Sequence, residues 1–211
     1  MKTKILILLV ALSANICSFS QEKKPYEVKH SGFFVRGTAG LGSLTITESI
    51  NSSSMGKIDF EINGMSYDFS LQAGYSVIDN LQVYGVFSTN VIPDPTYLIN
   101  NSEVKTIGSS NVSLSRYGAG ATYYLMPENI YASFDVTTGQ NEIEISGEKS
   151  SSQRGLIFTF GLGKEWMVAK KWGIGGALYF FTGSVDDEPY EGQTPQIGNT
   201  GFGLVFSVTY N

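Results

Sequence analysis

The sequence predicts an all-β fold in which eight antiparallel strands close into an up-and-down barrel. Three observations carry this prediction. Eight segments alternate apolar and polar residues, short and long connections alternate between those segments, and glycine is concentrated on the polar faces. A period of two residues places the two kinds of side chain on opposite faces of a strand. The 211 residues suffice for one domain with a sizeable core.

Each segment has one apolar and one polar face. The clearest is SYDFSLQAGYSV, in which Phe69 and Leu71 share one face while Asp68 lies on the other. In chain order the segments span 32–44, 66–77, 80–91, 115–125, 129–138, 155–166, 171–183 and 200–211. The phase of the third segment is less regular, because Tyr84 and Val86 fall on its polar side.

The connections between the segments alternate in length. Short turns occupy 77–80, 126–129 and 168–171, whereas long polar connections span 45–64, 92–113, 139–154 and 184–199. This order is expected of a barrel with tight turns at one rim and long loops at the other. A sandwich with Greek-key crossings would not require it.

Charge and glycine share the polar faces of the predicted strands. The charged residues are Arg36, Asp68, Arg116, Asp135 and Glu165. Glycine weakens a strand and offers no side chain to pack, so a soluble sheet surface rarely uses many of them. In a narrow barrel, small residues leave room for a few long side chains that fill the interior. We therefore predict that the polar faces line the lumen and that the apolar faces meet lipid.

The lumen charges are predicted to pair, because an unpaired charge in a dry interior costs several kcal/mol. We expect one network of Arg116, Asp135 and Asp68, and a second pair, Arg36 with Glu165, nearer the rim of short turns. On this interpretation the charges plug the lumen. The functional alternative is a gated polar pore, although eight strands leave little space for one.

Aromatic residues lie near the ends of the apolar faces. Those predicted to lie at the two membrane–water interfaces are Tyr67, Tyr75, Tyr117, Tyr123, Trp166, Trp172, Phe202 and Tyr210. Amphipathic rings favour the headgroup level, and transmembrane barrels carry two such girdles. The apolar runs span about 9 to 11 residues, which is the length that a tilted strand needs to cross the hydrocarbon. The alternative is that these rings form the ordinary core of a soluble barrel.

The N-terminal residues 1–20 are typical of a secretory signal peptide. Lys2 and Lys4 form a basic start, a brief apolar run follows, and small Ser20 ends the segment. We expect cleavage after Ser20 and a polar periplasmic tether over 21–31.

Cys17 is the only cysteine, and on this interpretation it leaves with the signal peptide. A lipid anchor on Cys17 is the alternative, but Ile16 stands where the lipidation motif requires a small residue. Cleavage would leave 12 basic and 19 acidic residues, a formal charge of −7. This charge argues against nucleic acid as a partner.

The strands FFVRGTAGLG, RYGAGATYYL and WGIGGALYFF resemble those of the small eight-stranded outer-membrane β-barrels of Gram-negative bacteria, the group of the OmpA transmembrane domain and OmpX. The closing strand GLVFSVTY is similar to the signal that this group presents to the outer-membrane assembly machinery, with Tyr210 and Asn211 in place of the usual final Phe. The resemblance covers about 30–211. It implies an integral outer-membrane barrel in contact with outer-membrane lipid, with both termini in the periplasm.

Residues for catalysis or metal binding are sparse. The lone His30 has only Ser31 as an adjacent nucleophile, so we expect a solvated tether residue, no enzyme and no cofactor. The acidic run 186–191 lacks the ordered ligand spacing of a calcium loop, and we interpret it as solvated.

The predicted role is that of a scaffold whose extracellular loops meet a ligand or surface of unknown identity, because loops on rigid barrels carry function. The predicted contact residues are Asp94, Tyr97, Asp186, Asp187, Glu188 and Tyr190. Two alternatives remain at this point. One is a small pore or passive transporter, and the other is a soluble periplasmic barrel of lipocalin type that binds a lipid inside.

Overall fold

A computed structural model describes residues 30–52, 56–104, 109–186 and 195–211. The strands in these ranges are Gly32–Ser52 (β1), Gly56–Ile78 (β2), Leu81–Pro93 (β3), Thr96–Ile99 (β4), Ser102–Val104 (β5), Ser110–Leu125 (β6), Ile130–Ile145 (β7), Glu148–Ser151 (β8), Gly155–Met167 (β9), Trp172–Asp186 (β10) and Gln196–Tyr210 (β11). The described ranges contain no helix that is long and apolar enough to cross a membrane. The predicted signal peptide and most of the predicted tether lie outside them.

Eight of these strands form a closed antiparallel ring in the order β1, β2, β3, β6, β7, β9, β10 and β11. Strand β1 closes the ring, because its Val35 lies opposite Tyr210 of β11 and also opposite Ala73 of β2. Strand β4 pairs with β2, β5 with β4, and β8 with β7, so these three short strands lie outside the ring. The predicted eight-stranded barrel is confirmed.

The apolar faces of the strands point outward through the lower part of the barrel, which we define as the part nearer the short turns. In β2, Leu71 is 54% exposed and Phe69 is 52% exposed, whereas Asp68 is only 3% exposed. The same alternation leaves Leu162, Leu178 and Phe206 exposed on other strands. This arrangement is the reverse of a lipocalin-type barrel, whose apolar face lies inside.

The strands are longer than predicted, which corrects the expected long loops. The connection 45–64 is mostly strand, because β1 and β2 continue as a paired hairpin as far as Ser52 and Gly56. Likewise β7 continues to Ile145 and pairs there with β8. Apolar and polar residues still alternate in these segments, but here the apolar residues point into the barrel and the polar ones point outward. A prediction that follows one outward apolar face along the strand therefore places the strand end too early.

The barrel interior and its upper extension as the candidate functional site

Strand β6 shows a change in polarity along its length. Near its start, Val112 and Leu114 point inward with no exposed surface, and Asn111 lies outside. Further along, Arg116 points inward and Tyr117 lies exposed on the outside. The inward face therefore changes from apolar to polar between Leu114 and Arg116, and the outward face changes from polar to apolar between Ser115 and Tyr117.

The outer face changes at the same register in three neighbouring strands, β10, β11 and β1. Thr200 of β11 lies opposite Thr182 of β10 on one side and opposite Thr45 of β1 on the other, and all three mark the polar outer face. Two residues lower, Phe202 lies opposite Phe180, and both are exposed apolar residues. We call the part of the barrel above this level the extension; it comprises 44–52, 56–64, 92–104, 110–115, 138–151, 182–186 and 196–200.

The extension has a hydrophobic core inside the barrel, which we call the upper layer and which also includes Ile157 and Phe181 at its lower boundary. Its buried members are Leu44, Ile46, Ile92, Val112, Leu114, Ile157, Phe181, Val185 and Ile197. This layer was not predicted, although the alternation in LTIT (44–47) and VSLS (112–115) contains its signal. Below it, the interior is polar and holds the predicted charges.

Asp68 and Arg116 belong to one buried network directly below the upper layer. The Asp68 carboxylate accepts hydrogen bonds from the Ser66 hydroxyl, the Asn90 amide and the Tyr179 hydroxyl. Arg116 donates from Nη2 to Asn90 Oδ1 at 2.6 Å, so the Asn90 side chain bridges the two charges. The Arg116 guanidinium also lies 4.1 Å from the centre of the Phe181 ring, which joins this network to the upper layer.

Asp135 has different partners from those predicted. Its carboxylate accepts a hydrogen bond from the Tyr84 hydroxyl at 2.7 Å, and the Thr122 hydroxyl donates to that same Tyr84 oxygen at 3.1 Å. Among the described residues, Arg116 forms no ion pair with any carboxylate. Tyr84 was assigned to the less regular third segment, and its inward direction explains that irregularity, because the ring is part of the lumen filling.

Arg36 and Glu165 form a second buried group nearer the short turns. Arg36 Nη2 lies 3.6 Å from Glu165 Oε2, and the exposed fractions of the two side chains are 2% and 0%. The Thr209 hydroxyl connects them, since it accepts from Arg36 Nε at 3.1 Å and donates to Glu165 Oε2 at 2.7 Å. Arg36 also donates to Gln72 Oε1 and to the Tyr124 hydroxyl.

The expectation of a solvated His30 is wrong. The His30 side chain is fully buried, its ring stacks on Tyr124 with a centroid distance of 3.6 Å, and its Nε2 lies 2.7 Å from Asn129 Oδ1. Its Nδ1 lies 3.4 Å from Oδ1 of Asn211 at the C-terminus. Closure of the ring brings together residues that are 99 and 181 positions apart, and a local pattern cannot show such a contact. His30 therefore forms the floor of the barrel.

Glycines on the inner wall make space for the buried charged side chains. A Cβ atom at Gly42 would collide with the Asp68 carboxylate and the Tyr179 hydroxyl, and one at Gly173 would collide with the Glu165 carboxylate. A Cβ atom at Gly120 would similarly meet the Asp135 carboxylate. The polar lumen therefore needs small residues opposite its long ones. The space that remains between the two charged groups is a cavity of about 80 Å³.

The remaining predicted site residues occupy two surfaces. The eight predicted interface aromatics lie on the outer face, Tyr210 being half-buried and the others exposed. Of the predicted contacts, Asp94 is exposed after β3, Tyr97 is half-buried in β4, and Asp186 ends β10. Asp187, Glu188 and Tyr190 lie outside the described residues. Within the described ranges, no group of three or more His, Cys, Asp or Glu residues could hold a metal ion.

Comparison with known proteins identifies the fold. No protein-family model matches the chain, and no curated protein matches it significantly. Among solved structures, the outer membrane protease OmpT from Escherichia coli is 10% identical, with 90% of this chain and 99% of that chain covered and a TM-score of 0.50.

Two further solved structures match over most of their length. The outer membrane protein OprG from Pseudomonas aeruginosa is 10% identical, with 86% and 97% of the two chains covered and a TM-score of 0.50. Neisserial surface protein A is 17% identical, with 83% and 96% covered and a TM-score of 0.47. The matches to OmpT and OprG, together with the closed ring of eight strands, show that the chain has the fold of the outer-membrane β-barrel proteins.

Proposed function

We propose that the protein is an integral outer-membrane barrel with a closed lumen, which acts as a scaffold for its extracellular extension. One observation carries this proposal: the outer face changes from apolar to polar partway along β1, β6, β10 and β11. An apolar outer face suits lipid, whereas a polar outer face above a hydrophobic interior suits water. The short turns then face the periplasm and the extension faces outward.

The extension supports a display role. Strand β1 continues over 44–52 above the change of polarity. At about 3.3 Å per residue and a strand tilt of about 40°, this raises the hairpin roughly 20 Å above the membrane surface. An extracellular ligand or surface would meet the hairpins first, and the predicted contacts Asp94, Tyr97 and Asp186 belong to this region.

Three successive fillings of the interior support a closed lumen. The floor contains His30 and Tyr124, the middle contains the networks of Arg36 and Arg116, and the upper layer is apolar. A hydrated ion would have to displace all three. In this proposal the lumen is closed by the polar and charged side chains together with the apolar upper layer above them.

We also propose that the role is not catalytic. The single histidine of the chain is held in the floor by Asn129 and Tyr124, away from the extension where an outside substrate would arrive. The similarity to the protease OmpT, at 10% identity, concerns the fold. Outer-membrane lipid and, through β11, the assembly machinery are the proposed partners inside the cell envelope.

Two measurements test this proposal. Membrane fractionation should recover the protein with the outer membrane, and recovery in the soluble fraction without detergent would contradict it. Planar-bilayer recording of the purified protein should show no steady conductance. A steady open current would contradict the closed lumen and favour the alternative of a small pore, while leaving the membrane location intact.

A further inference from the structure

A second cavity, of about 120 Å³, lies inside the extension, where the upper layer meets the hairpins. Its apolar wall is formed by Ile46, Phe60, Ile62, Ile143 and Ile197. These residues come from β1, β2, β7 and β11, so the cavity lies across the inside of the barrel and is bounded below by the hydrophobic core. It is separate from the cavity of about 80 Å³ that lies between Arg36 and Arg116.

Asn141 of β7 lines this cavity with an unused hydrogen-bonding side chain. The residue is only 3% exposed, and in the part of the chain that the structure describes neither Nδ2 nor Oδ1 of its amide has a hydrogen-bond partner. Its main chain is held firmly, because its N–H donates to the Ser152 hydroxyl and its carbonyl accepts from the Ser152 N–H, both at 3.0 Å. A buried amide without hydrogen-bond partners lowers the stability of the folded protein. A molecule in the cavity that both donates and accepts a hydrogen bond would satisfy the Asn141 side chain.

We propose that this cavity binds a small, uncharged, largely apolar molecule that carries one hydrogen-bonding head group. A cavity of about 150 Å³ lined by Leu, Ile and Phe binds benzene in another protein, which sets the size class at a single substituted ring. Ligand sites combine apolar walls with a few polar groups that fix orientation, and Asn141 supplies both a donor and an acceptor. The carboxylate of Glu48, which also lines the cavity, disfavours an anion.

Bound water is the competing occupant. A buried water needs two to four polar partners. The polar lining residues Glu48, Asn141, Ser150, Ser151 and Ser152 can hold a water beside them, whereas the four isoleucine side chains and Phe60 offer water no partner and leave that part of the cavity to an apolar group. The inference rests on the proposed function in one respect: the extension faces the outside, so the ligand arrives without crossing the membrane.

The test uses the full-length protein in detergent, with benzyl alcohol as the probe and toluene as its partner without the hydroxyl. The signals are the δ1-methyl resonances of isoleucine in a carbon-13-labelled sample. Ile46, Ile62, Ile143 and Ile197 line the cavity, whereas Ile174 lies exposed on the lipid face and reports partition of the probe into detergent. We expect saturable shifts of the cavity methyls at millimolar benzyl alcohol, with only a linear drift at Ile174.

Three variants test whether the probes bind in the cavity and whether the Asn141 amide contributes to binding. Asn141→Leu keeps the volume but removes the amide, and should weaken benzyl alcohol binding at least tenfold while changing toluene binding less than threefold. Ile197→Phe fills the cavity and should abolish saturable shifts for both probes. Glu144→Gln, which lies outside the cavity on the same strand, is the matched control and should bind both probes like the original protein.

Each contrary outcome overturns part or all of the inference. No saturable shift with either probe up to its solubility limit overturns the site, as does saturation that survives Ile197→Phe. Equal loss of both probes in Asn141→Leu overturns the role of the amide. Ile46→Phe is a second filling variant if Ile197→Phe does not fold. Because these shifts are independent of fractionation and conductance, failure here is distinguishable from failure of the proposed function.

Discussion

The lower barrel and the extension use the same strands in opposite ways. In the lower barrel, polar side chains such as Asp68 fill the interior and apolar ones such as Leu71 face outward. In the extension, Leu44 and Leu114 fill the interior, and polar residues such as Thr182 face outward. A strand alternates in the same manner in both regions, so the surroundings of the outer face determine which set of side chains is buried.

Substitutions in the two interiors should lower the stability of the barrel for different reasons. The lower interior depends on hydrogen bonds between buried charges and polar groups, so removing one partner leaves the other unsatisfied. The upper layer depends on packing, so truncation there leaves a void. Substitutions placed in matched pairs, one in each region, distinguish these two kinds of stabilisation.

The largest effect is expected for Arg36→Met in the lower interior. Glu165 would remain as a buried charge without its cation, at a cost of about 3–5 kcal/mol in the free energy of unfolding. Reversible urea unfolding in lipid vesicles measures this cost. The double variant Arg36→Met with Glu165→Leu should recover most of the lost stability, and a double variant as unstable as the single one would contradict the pairing.

Leu114→Ala tests the upper layer. The side chain is fully buried in the hydrophobic core of the extension, and its truncation should cost about 2–5 kcal/mol in the same unfolding experiment. Leu204→Ala on the outer face of β11 is the matched control. It should cost clearly less, because lipid tails can fill the space that the side chain leaves. Equal losses would show that the upper layer is not a packed core.

An arginine scan on the outer face of β11 tests the boundary between the regions. Phe206→Arg places a charge in the apolar belt and should cost about 2–4 kcal/mol, whereas Thr200→Arg lies in the extension and should cost about 0–1 kcal/mol. Unfolding in vesicles, or the yield of heat-modifiable barrel, reports the difference. Similar costs at the two positions would place the membrane boundary above Thr200.

The smallest effect is expected at the exposed hairpin of β1 and β2. The side-chain hydrogen bond from Lys57, with a further one from Ser49, holds the pKa of Asp59 below its ordinary value of 3.8. A lowered folded-state pKa stabilises the hairpin above pH 3.8, and this contribution is lost as the pH falls through the folded value.

Lys57→Met should raise the Asp59 pKa toward 3.8 in a carbon-13 NMR titration of the carboxyl group. Ser49→Ala should raise it less, because the lysine makes the larger contribution. The stability of the whole barrel should hardly change in either variant, since the pair is solvent-exposed. An Asp59 pKa that stays unchanged in Lys57→Met would show that the hairpin contact does not form in solution.

Much of the architecture follows from local sequence. Three local features lead to the eight strands, the closed ring and the outward apolar face: the period of two residues, the alternation of turn lengths and the Gly-rich polar faces. Each of these features can be seen within a short stretch of sequence. The predicted proximity of Arg36 and Glu165 also follows from counting residues above the short turns. The sequence alone therefore specifies the strands of the lower barrel and which face of each points outward.

The extension and the floor depend on long-range closure. The predicted strands stop at Leu44 and Ser115, close to where the outward apolar face ends, although the alternation continues beyond both residues with the apolar side chains on the inner face. Only closure of the ring shows that the inward residues from all the long strands meet as one core. Closure likewise brings His30 to Asn129 and Asn211, and places Asn90 between Asp68 and Arg116. Such contacts join residues that are far apart in the chain, so no pattern within a short stretch of sequence shows that they meet in space.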